Sequence, residues 1–238
     1  ETVLTVLHAG GKFGDGGYKV SSGLHGVGSS VVNALSTHLI AEVKRNGKLY
    51  RQEFKIGVPQ GDIKVVGEAQ GTGTTITFWP DFSIFEKVEW EYDWVLGHLR
   101  HQAYLTKGVY AELKDERTNK GEAFYFEGGI RSYVRHLNFG KEAVHDDIFY
   151  IQKTIKEAEV EVALQYTDAY TENVLSFANN VPNPEGGSHL TGFRTALTRV
   201  INDYARKNGI LKEKEENLSG EDVREGMTAI ISIKIPDP

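Results

Sequence analysis

Cysteine is absent from this chain of 238 residues, which excludes disulfides and thiolate metal sites and makes a reducing cytoplasm its natural home. No stretch approaches the roughly 18 uninterrupted apolar residues of a membrane-spanning helix, so no membrane partner is expected. The opening residues Glu1 to Leu7 contain no lysine or arginine, so no signal peptide is expected there. Positive charge is also short: 27 Lys and Arg face 33 Asp and Glu, a formal net charge of −6. That balance argues against a chain whose main surface grips phosphate backbones, though a local basic channel stays open. Two familiar phosphate-binding patterns are missing as well. The Walker arrangement fails because Lys12 follows Gly10 and Gly11 but precedes Phe13. Gly-x-Gly-x-x-Gly does not occur, which excludes a dinucleotide-binding turn and a protein-kinase loop.

What the chain does have is clustered glycine. Eight of its 26 glycines fall between Gly10 and Gly28. The segment Gly23-Leu24-His25-Gly26-Val27-Gly28 stands directly before Ser29 to Leu35, which reads as a short helix. Glycines there let the backbone turn tightly and turn amide groups outward with no Cβ in the way. A helix start adds unpaired N–H donors and the positive end of its dipole, an arrangement that favours an anion and above all a phosphate. Upstream, Gly10 and Gly11 together with Lys12 and Lys19 read as a lid that closes over a ligand and brings lysines to its charge. The plain alternative is an ordinary helix cap, but the glycines are denser than a cap requires.

Elsewhere the periodicities predict an α+β chain. Strands are expected at 38–45 and 48–56, joined by Asn46-Gly47, a pair that tolerates positive φ and signals a two-residue hairpin. A further strand is expected at 74–79, ended by Pro80. A helix is expected at 92–107, stopped by Gly108, and then a hairpin from 109–113 and 123–126. Ile130, Tyr133, Val134 and Leu137 mark an amphipathic helix. Strands at 148–151, 160–166 and 173–178 precede a long helix at 188–207, whose apolar face is expected at Phe193, Ala196, Leu197, Val200, Ile201 and Tyr204. Ser219 to Asp222 has the form of a capping box, and 228–235 reads as a buried strand. A domain boundary is expected at Gly128-Gly129, giving segments 1–128 and 129–238. Glu1-Thr-Val-Leu and Pro236-Asp-Pro238 both read as cuts in a longer protein.

Several strings go beyond pattern. Leu7-His-Ala-Gly-Gly-Lys-Phe13, Gly17-Tyr-Lys-Val-Ser21 and Gly23 to Gly28 followed by Val31-Val-Asn-Ala-Leu35 closely resemble the B subunits of bacterial type II DNA topoisomerases, of the DNA gyrase kind. The likeness continues through Gly71-Thr-Gly-Thr74, Tyr125-Phe-Glu-Gly-Gly-Ile130, Phe177-Ala-Asn-Asn180, Glu185-Gly-Gly-Ser-His189 and Gly220 to Ala229, in order along the whole chain. It implies a partial GHKL (Bergerat) ATPase domain in 1–128 and, in 129–238, a transducer domain of ribosomal-protein-like β-α-β topology. It implies ATP with Mg²⁺ as cofactors. Gly10, Gly11, Lys12 and Lys19 would belong to the lid. Gly23, Leu24, His25, Gly26, Val27 and Gly28 would carry the phosphate-binding donors, and Thr74 would hold the adenine end. Arg45 matches an arginine at the pocket mouth where aminocoumarin-like inhibitors bind in this family. The implied partners are an A subunit, a second B subunit on ATP binding, and double-stranded DNA. One departure is Ser22, where the family has glycine. The gyrase and topoisomerase IV B subunits are nearly equally similar, and a GHKL clamp that cuts no DNA is a more distant alternative.

Other residue groupings carry less. Glu112 with Asp115 or Glu116 resembles a carboxylate pair but lies among lysines and arginines, and His98 with His101 lacks a third metal ligand nearby in sequence. Arg131, Arg135, Arg194, Arg199 and Arg206 are candidates to face DNA. No catalytic residue and no metal ligand is expected within the chain. The resemblance places the base Glu, the Mg²⁺-binding Asn and the adenine-reading Asp before Glu1, and a Gln-Thr-Lys loop after Pro238. The chain alone is therefore expected to hydrolyse no ATP; a turnover assay with and without Mg²⁺ should read background, and metal-dependent release of phosphate would contradict the assignment.

Overall fold

The structure, a computed structural model, describes residues 1–9, 23 and 26–236. Its chain divides into two compact units, Glu1–Trp90 and Glu91–Pro238.

In the first unit, helices α1 (Thr2–Thr5) and α2 (Gly28–Ala34) accompany strands β1 (Ser36–Arg45), β2 (Lys48–Lys55), β3 (Val58–Pro59), β4 (Lys64–Glu68) and β5 (Gly73–Pro80). The sheet runs β3-β2-β1-β5, with β4 pairing β2 as well, and all its pairings are antiparallel. The β1–β2 turn is the expected one, with Asn46 at φ 53° and Gly47 at φ 76°. The β2–β3 turn places Ile56 at φ 47°, a conformation β-branched residues avoid and one that no pattern in the sequence announces. One face of the sheet buries Leu39 and Phe54, which are cross-strand partners. Helix α2 is set by Asn33, which is fully buried and donates from Nδ2 to the carbonyls of Leu4 (3.0 Å) and Gly57 (3.4 Å). Ser29 adds a bond from its hydroxyl to Val3 O at 2.8 Å.

The second unit holds α3 (Tyr92–Leu105), β6 (Ala111–Asp115), β7 (Lys120–Phe124), α4 (Ile130–Leu137), β8 (Phe149–Ile155), β9 (Ala158–Tyr166), β10 (Asn173–Ala178), β11 (Val181–Pro182), α5 (Ser188–Lys207), α6 (Gly220–Arg224) and β12 (Met227–Lys234). Its sheet has the order β11-β10-β12-β9-β8, and β10 and β12 are parallel across a crossover that contains α5. That is the expected β-α-β unit. Strand β12 is buried on both faces because both are covered: Met227, Ala229 and Ile231 line one, and Thr228, Ile230 and Ser232 the other. Ile230, Ala163 and Phe177 pack with Tyr104, Leu105, Ile130, Tyr133 and Val134 of α3 and α4. Ala229, Ile231, Val162 and Leu164 pack with Leu190, Phe193 and Leu197 of α5.

The compact units divide at Trp90/Glu91: Tyr104 and Leu105 of α3 pack into the second unit's core, and Leu96, Ala103 and Phe124 join α3 to the β6–β7 hairpin. Two expectations differ from the structure. The hairpin strands are 111–115 and 120–124, with the turn at 116–119. The apolar face of α5 is rotated: Val200 and Tyr204 are 58% and 63% exposed, whereas Asn202 is buried. Asn202 can be buried because its side chain is fully used, donating to Thr198 O and Leu218 O and accepting from Leu218 N. The capping box at Ser219 and Asp222 is formed as expected.

The β6–β7 turn contains a titratable clamp. Asp115 accepts from the backbone N of Arg117 and from its Nε, both at 2.9 Å, and from Nη2 at 2.8 Å. Those bonds, led by the guanidinium and opposed by partial burial, hold the Asp115 carboxyl at about 2, against an ordinary value of 3.8. A depressed carboxylate supports the fold above its unfolded value, and that support disappears as pH falls from about 4 to about 2. Carbon-detected NMR titration should therefore place the Asp115 midpoint near 2 and show the hairpin amides loosening over the same window. A midpoint near 4 would contradict the clamp.

Candidate functional site

The sequence-predicted phosphate segment meets the described structure at Gly23 and from Gly26 onward. Gly10, Gly11, Lys12, Lys19, Leu24 and His25, and with them the expected lid, lie outside the described residues. Gly26 adopts φ 60°, the left-handed region that glycine enters without a steric cost. Val27 follows as the N-cap of α2, and Gly28 is the first helical residue. A valine cannot cap: no side-chain bond is made to the first amides of α2 from this position. Among the described residues, a Cβ added at Gly28 would meet nothing within 4 Å. An αL residue next to uncapped helical amides makes a concave set of N–H donors, which suits an anion.

The other two predicted site residues lie on one face of one sheet. Thr74 of β5 pairs with Val43 of β1, and Arg45 stands two residues beyond Val43 on the same strand. Cross-strand partners and residues two apart share a face, so Thr74, Val43 and Arg45 point to the same side. Toward α2 that face continues through Ile76, opposite Ala41, to Phe78, opposite Leu39. Thr74 and Arg45 are exposed, and Ile76 is 44% exposed. The arrangement is a polar end (Arg45, Thr74) leading into an apolar floor (Val43, Ile76). Ile76 and Val43 were not singled out from sequence. The alternation of β5 through Thr74, Ile76 and Phe78 is the signal that identifies them. Beside α2 an open apolar pocket of 260 Å³ is lined by Val31, Val32, Leu35, Phe78, Phe85 and Trp90, with Trp90 edge-on to Phe78 at 6.0 Å.

The opposite face of the sheet carries a cluster of paired polar side chains. His38 stacks on Trp79 with centroids 5.1 Å apart and bonds Glu53 at 3.2 Å, and Arg51 bonds the other Glu53 oxygen at 2.9 Å. The His38 bond first, and then the Arg51 guanidinium, hold the Glu53 carboxyl below its ordinary value against the burial that would raise it.

The remaining candidates resolve into structural roles. Glu112 accepts a bond from Tyr110 and Asp115 is held by Arg117, so no carboxylate pair forms. His98 stacks on Trp94, and His101 lies against Tyr133, where burial lowers its pKa. Among the described residues no group of three His, Cys, Asp or Glu side chains could hold a metal ion. Of the arginines, Arg194 and Arg224 converge on Glu172 at 2.8 and 3.1 Å. Arg206 binds Asn217 Oδ1 at 2.8 Å and the carbonyls of Lys212 and Glu215, fixing the loop before α6. Arg131 lies 5.0 Å over the Tyr150 ring. Arg135 and Arg199 are exposed. No helix among the described residues is long and apolar enough to cross a membrane.

Comparison with known proteins gives a consistent picture. The family described as DNA gyrase B matches residues 129–238. The DNA gyrase B protein of Halalkalibacterium halodurans is 55% identical over 240 residues, which cover the whole chain and 38% of that relative. The chain thus spans well under half the length of the curated relatives it matches. The 43K ATPase domain of Thermus thermophilus gyrase B, solved in complex with an aminocoumarin, superimposes with a TM-score of 0.85 at 37% identity, covering all of this chain and 61% of that one. The topoisomerase IV ATP binding domain of Francisella tularensis, in complex with a small molecule inhibitor, gives 0.76 at 28% identity, covering 99% of this chain and 62% of that one.

Proposed function

The chain belongs to the DNA gyrase B family, and from that premise we propose that it is the nucleotide-binding and transducing portion of a gyrase B subunit. Residues 1–128 form part of the GHKL ATPase domain and residues 129–238 the transducer. The observation that carries the reading is the start of α2, where an αL glycine, Gly26, is followed by an N-cap, Val27, that makes no side-chain bond to the first helical amides. These amides take the β- and γ-phosphates of ATP, with Gly23, Leu24 and His25 completing the cradle. Gly10, Gly11, Lys12 and Lys19 close over it as the lid. Thr74 holds the adenine end through its hydroxyl, the apolar floor of Val43 and Ile76 excludes water from the base, and Arg45 lines the mouth. Mg²⁺ neutralises phosphate charge when bound. Its ligands are expected in the rest of the subunit.

In the whole subunit, γ-phosphate contacts order the lid and close two B subunits into a dimer, and loss of that phosphate releases them. Working with an A subunit in the cytoplasm, the closed dimer passes one DNA duplex through a break in another and introduces negative supercoils. The gyrase reading is preferred to topoisomerase IV because the curated relatives at 52–55% identity over the whole chain are gyrase proteins.

Two substitutions in the complete subunit test the site. Gly26→Ala forces a Cβ into the left-handed region, at about 1–2 kcal/mol. A non-hydrolysable ATP analogue should then bind about tenfold more weakly by calorimetry, and an unchanged Kd would remove the amide cradle. Arg45→Ala should weaken aminocoumarin binding by about tenfold or more, the worth of a charged hydrogen bond, while leaving the ATP analogue within about twofold. Equal losses for both ligands would place Arg45 elsewhere than at the mouth.

A further inference from the structure

The string Tyr125-Phe-Glu-Gly-Gly-Ile130 has no part in nucleotide binding, and its surroundings show what it accommodates. Lys107, two residues past α3, sends its side chain across Gly129 to a carboxylate inside the second unit. Its Nζ lies 2.8 Å from Oε1 of Glu161 on β9, a side chain only 8% exposed. The same ammonium bonds the hydroxyl of Tyr150 on β8 and sits 4.6 Å over that ring. Tyr150 in turn donates to Glu161 Oε1 at 2.7 Å, and Arg131 of α4 covers the Tyr150 ring. Gly129 stands at φ 54°, and a Cβ there would come within 2.6 Å of the Lys107 stem. The glycine is therefore the passage through which the lysine reaches its partner.

A second fastening acts at the other margin of the same sheet. Gln102 of α3 donates to Asn180 O at 3.1 Å, and Asn180 Nδ2 donates to Thr106 Oγ1 at 3.2 Å, at the β10–β11 turn. The C-terminal end of α3 is thus strapped at two points, to the β8–β9 hairpin and to the β10–β11 turn. Between the straps Tyr104 stacks on Phe126 and Tyr133, with centroids 3.7 and 4.4 Å apart.

We propose that Lys107 is a positioning residue whose bond to Glu161 makes α3 and the transducer sheet one rigid lever, so that a change delivered to α3 reaches the sheet without being absorbed at the Gly128-Gly129 turn. The inference rests on the gyrase reading for what the lever transmits, but not for the brace itself. The state of the charges supports the brace: burial alone would lower the Lys107 pKa, yet the bonds to Glu161 and Tyr150 outweigh it and raise the value.

The test uses the complete B subunit reconstituted with its A partner. Lys107→Met leaves Glu161 buried and unpaired, which can unfold the unit, so the double variant K107M/E161Q, with no orphaned charge, is measured beside it and beside K107R. The number of supercoils introduced per ATP hydrolysed should fall by about threefold or more in the double variant and recover in K107R, with the Kd for a non-hydrolysable analogue within about twofold of the parent. Hydrogen exchange of the α3 amides, measured on the same proteins without nucleotide, should rise in the double variant and not in K107R. A parent protein without ATP-dependent supercoiling would sink the gyrase reading and leave the exchange result to judge the brace. Unchanged α3 exchange in the double variant, or an unchanged supercoil-to-ATP ratio, would overturn the lever.

Discussion

A helix must find acceptors for its first amides, and the N-cap residue of α2 has no side chain able to supply one. Val27 occupies the N-cap, where serine, threonine, asparagine or aspartate normally accepts from the next turn. The glycine before it turns the backbone through the left-handed region. Everything proposed for the first unit follows from that choice. Asn33 and Ser29 tie α2 to α1 and to the β2–β3 turn, fixing where its open end lies. The adjoining sheet then offers, on one face, a hydroxyl, a guanidinium and an apolar floor.

The second unit solves a different problem. Its central strands β9 and β12 are largely buried on both faces, and a sheet of that kind is stable only between two layers. One layer is α5. The other is built by α4 together with α3, and α3 comes from the segment that precedes the family match at residue 129. The family segment and the packing unit therefore begin at different residues for a physical reason: residues 129–238 do not by themselves cover the second face of their own sheet. Tyr104 and Leu105 bury themselves on Ile130, Tyr133 and Val134, and the Lys107 to Glu161 bond completes the join.

Much of this was legible in the sequence, where local chemistry leaves little choice. Asn46-Gly47 specified its turn, Ser219 to Asp222 its capping box, and the spacing of Ile130, Tyr133, Val134 and Leu137 the buried stripe of α4. What could not be read depended on partners distant in the chain. Ile56 adopts positive φ although nothing about isoleucine favours it, and Asn202 is buried because Leu218 offers both its backbone groups. Val200 and Tyr204 satisfied the apolar periodicity of α5 yet stand exposed, since helix spacing fixes the width of a stripe but not which neighbour covers its margin. At the candidate site the glycines and Thr74 were recognisable as strings, whereas the floor formed by Val43 and Ile76 emerges only from the register between β1 and β5.

The central claim is that the bare amides at the start of α2 hold the phosphates of a nucleotide. A crystal structure of the complete subunit with a non-hydrolysable ATP analogue tests it most directly. The account predicts phosphate oxygens at about 3 Å from the backbone nitrogens of this turn, the ordinary hydrogen-bond distance. A nucleotide bound with its phosphates away from Gly26 to Gly28, and with those amides facing solvent, would contradict it.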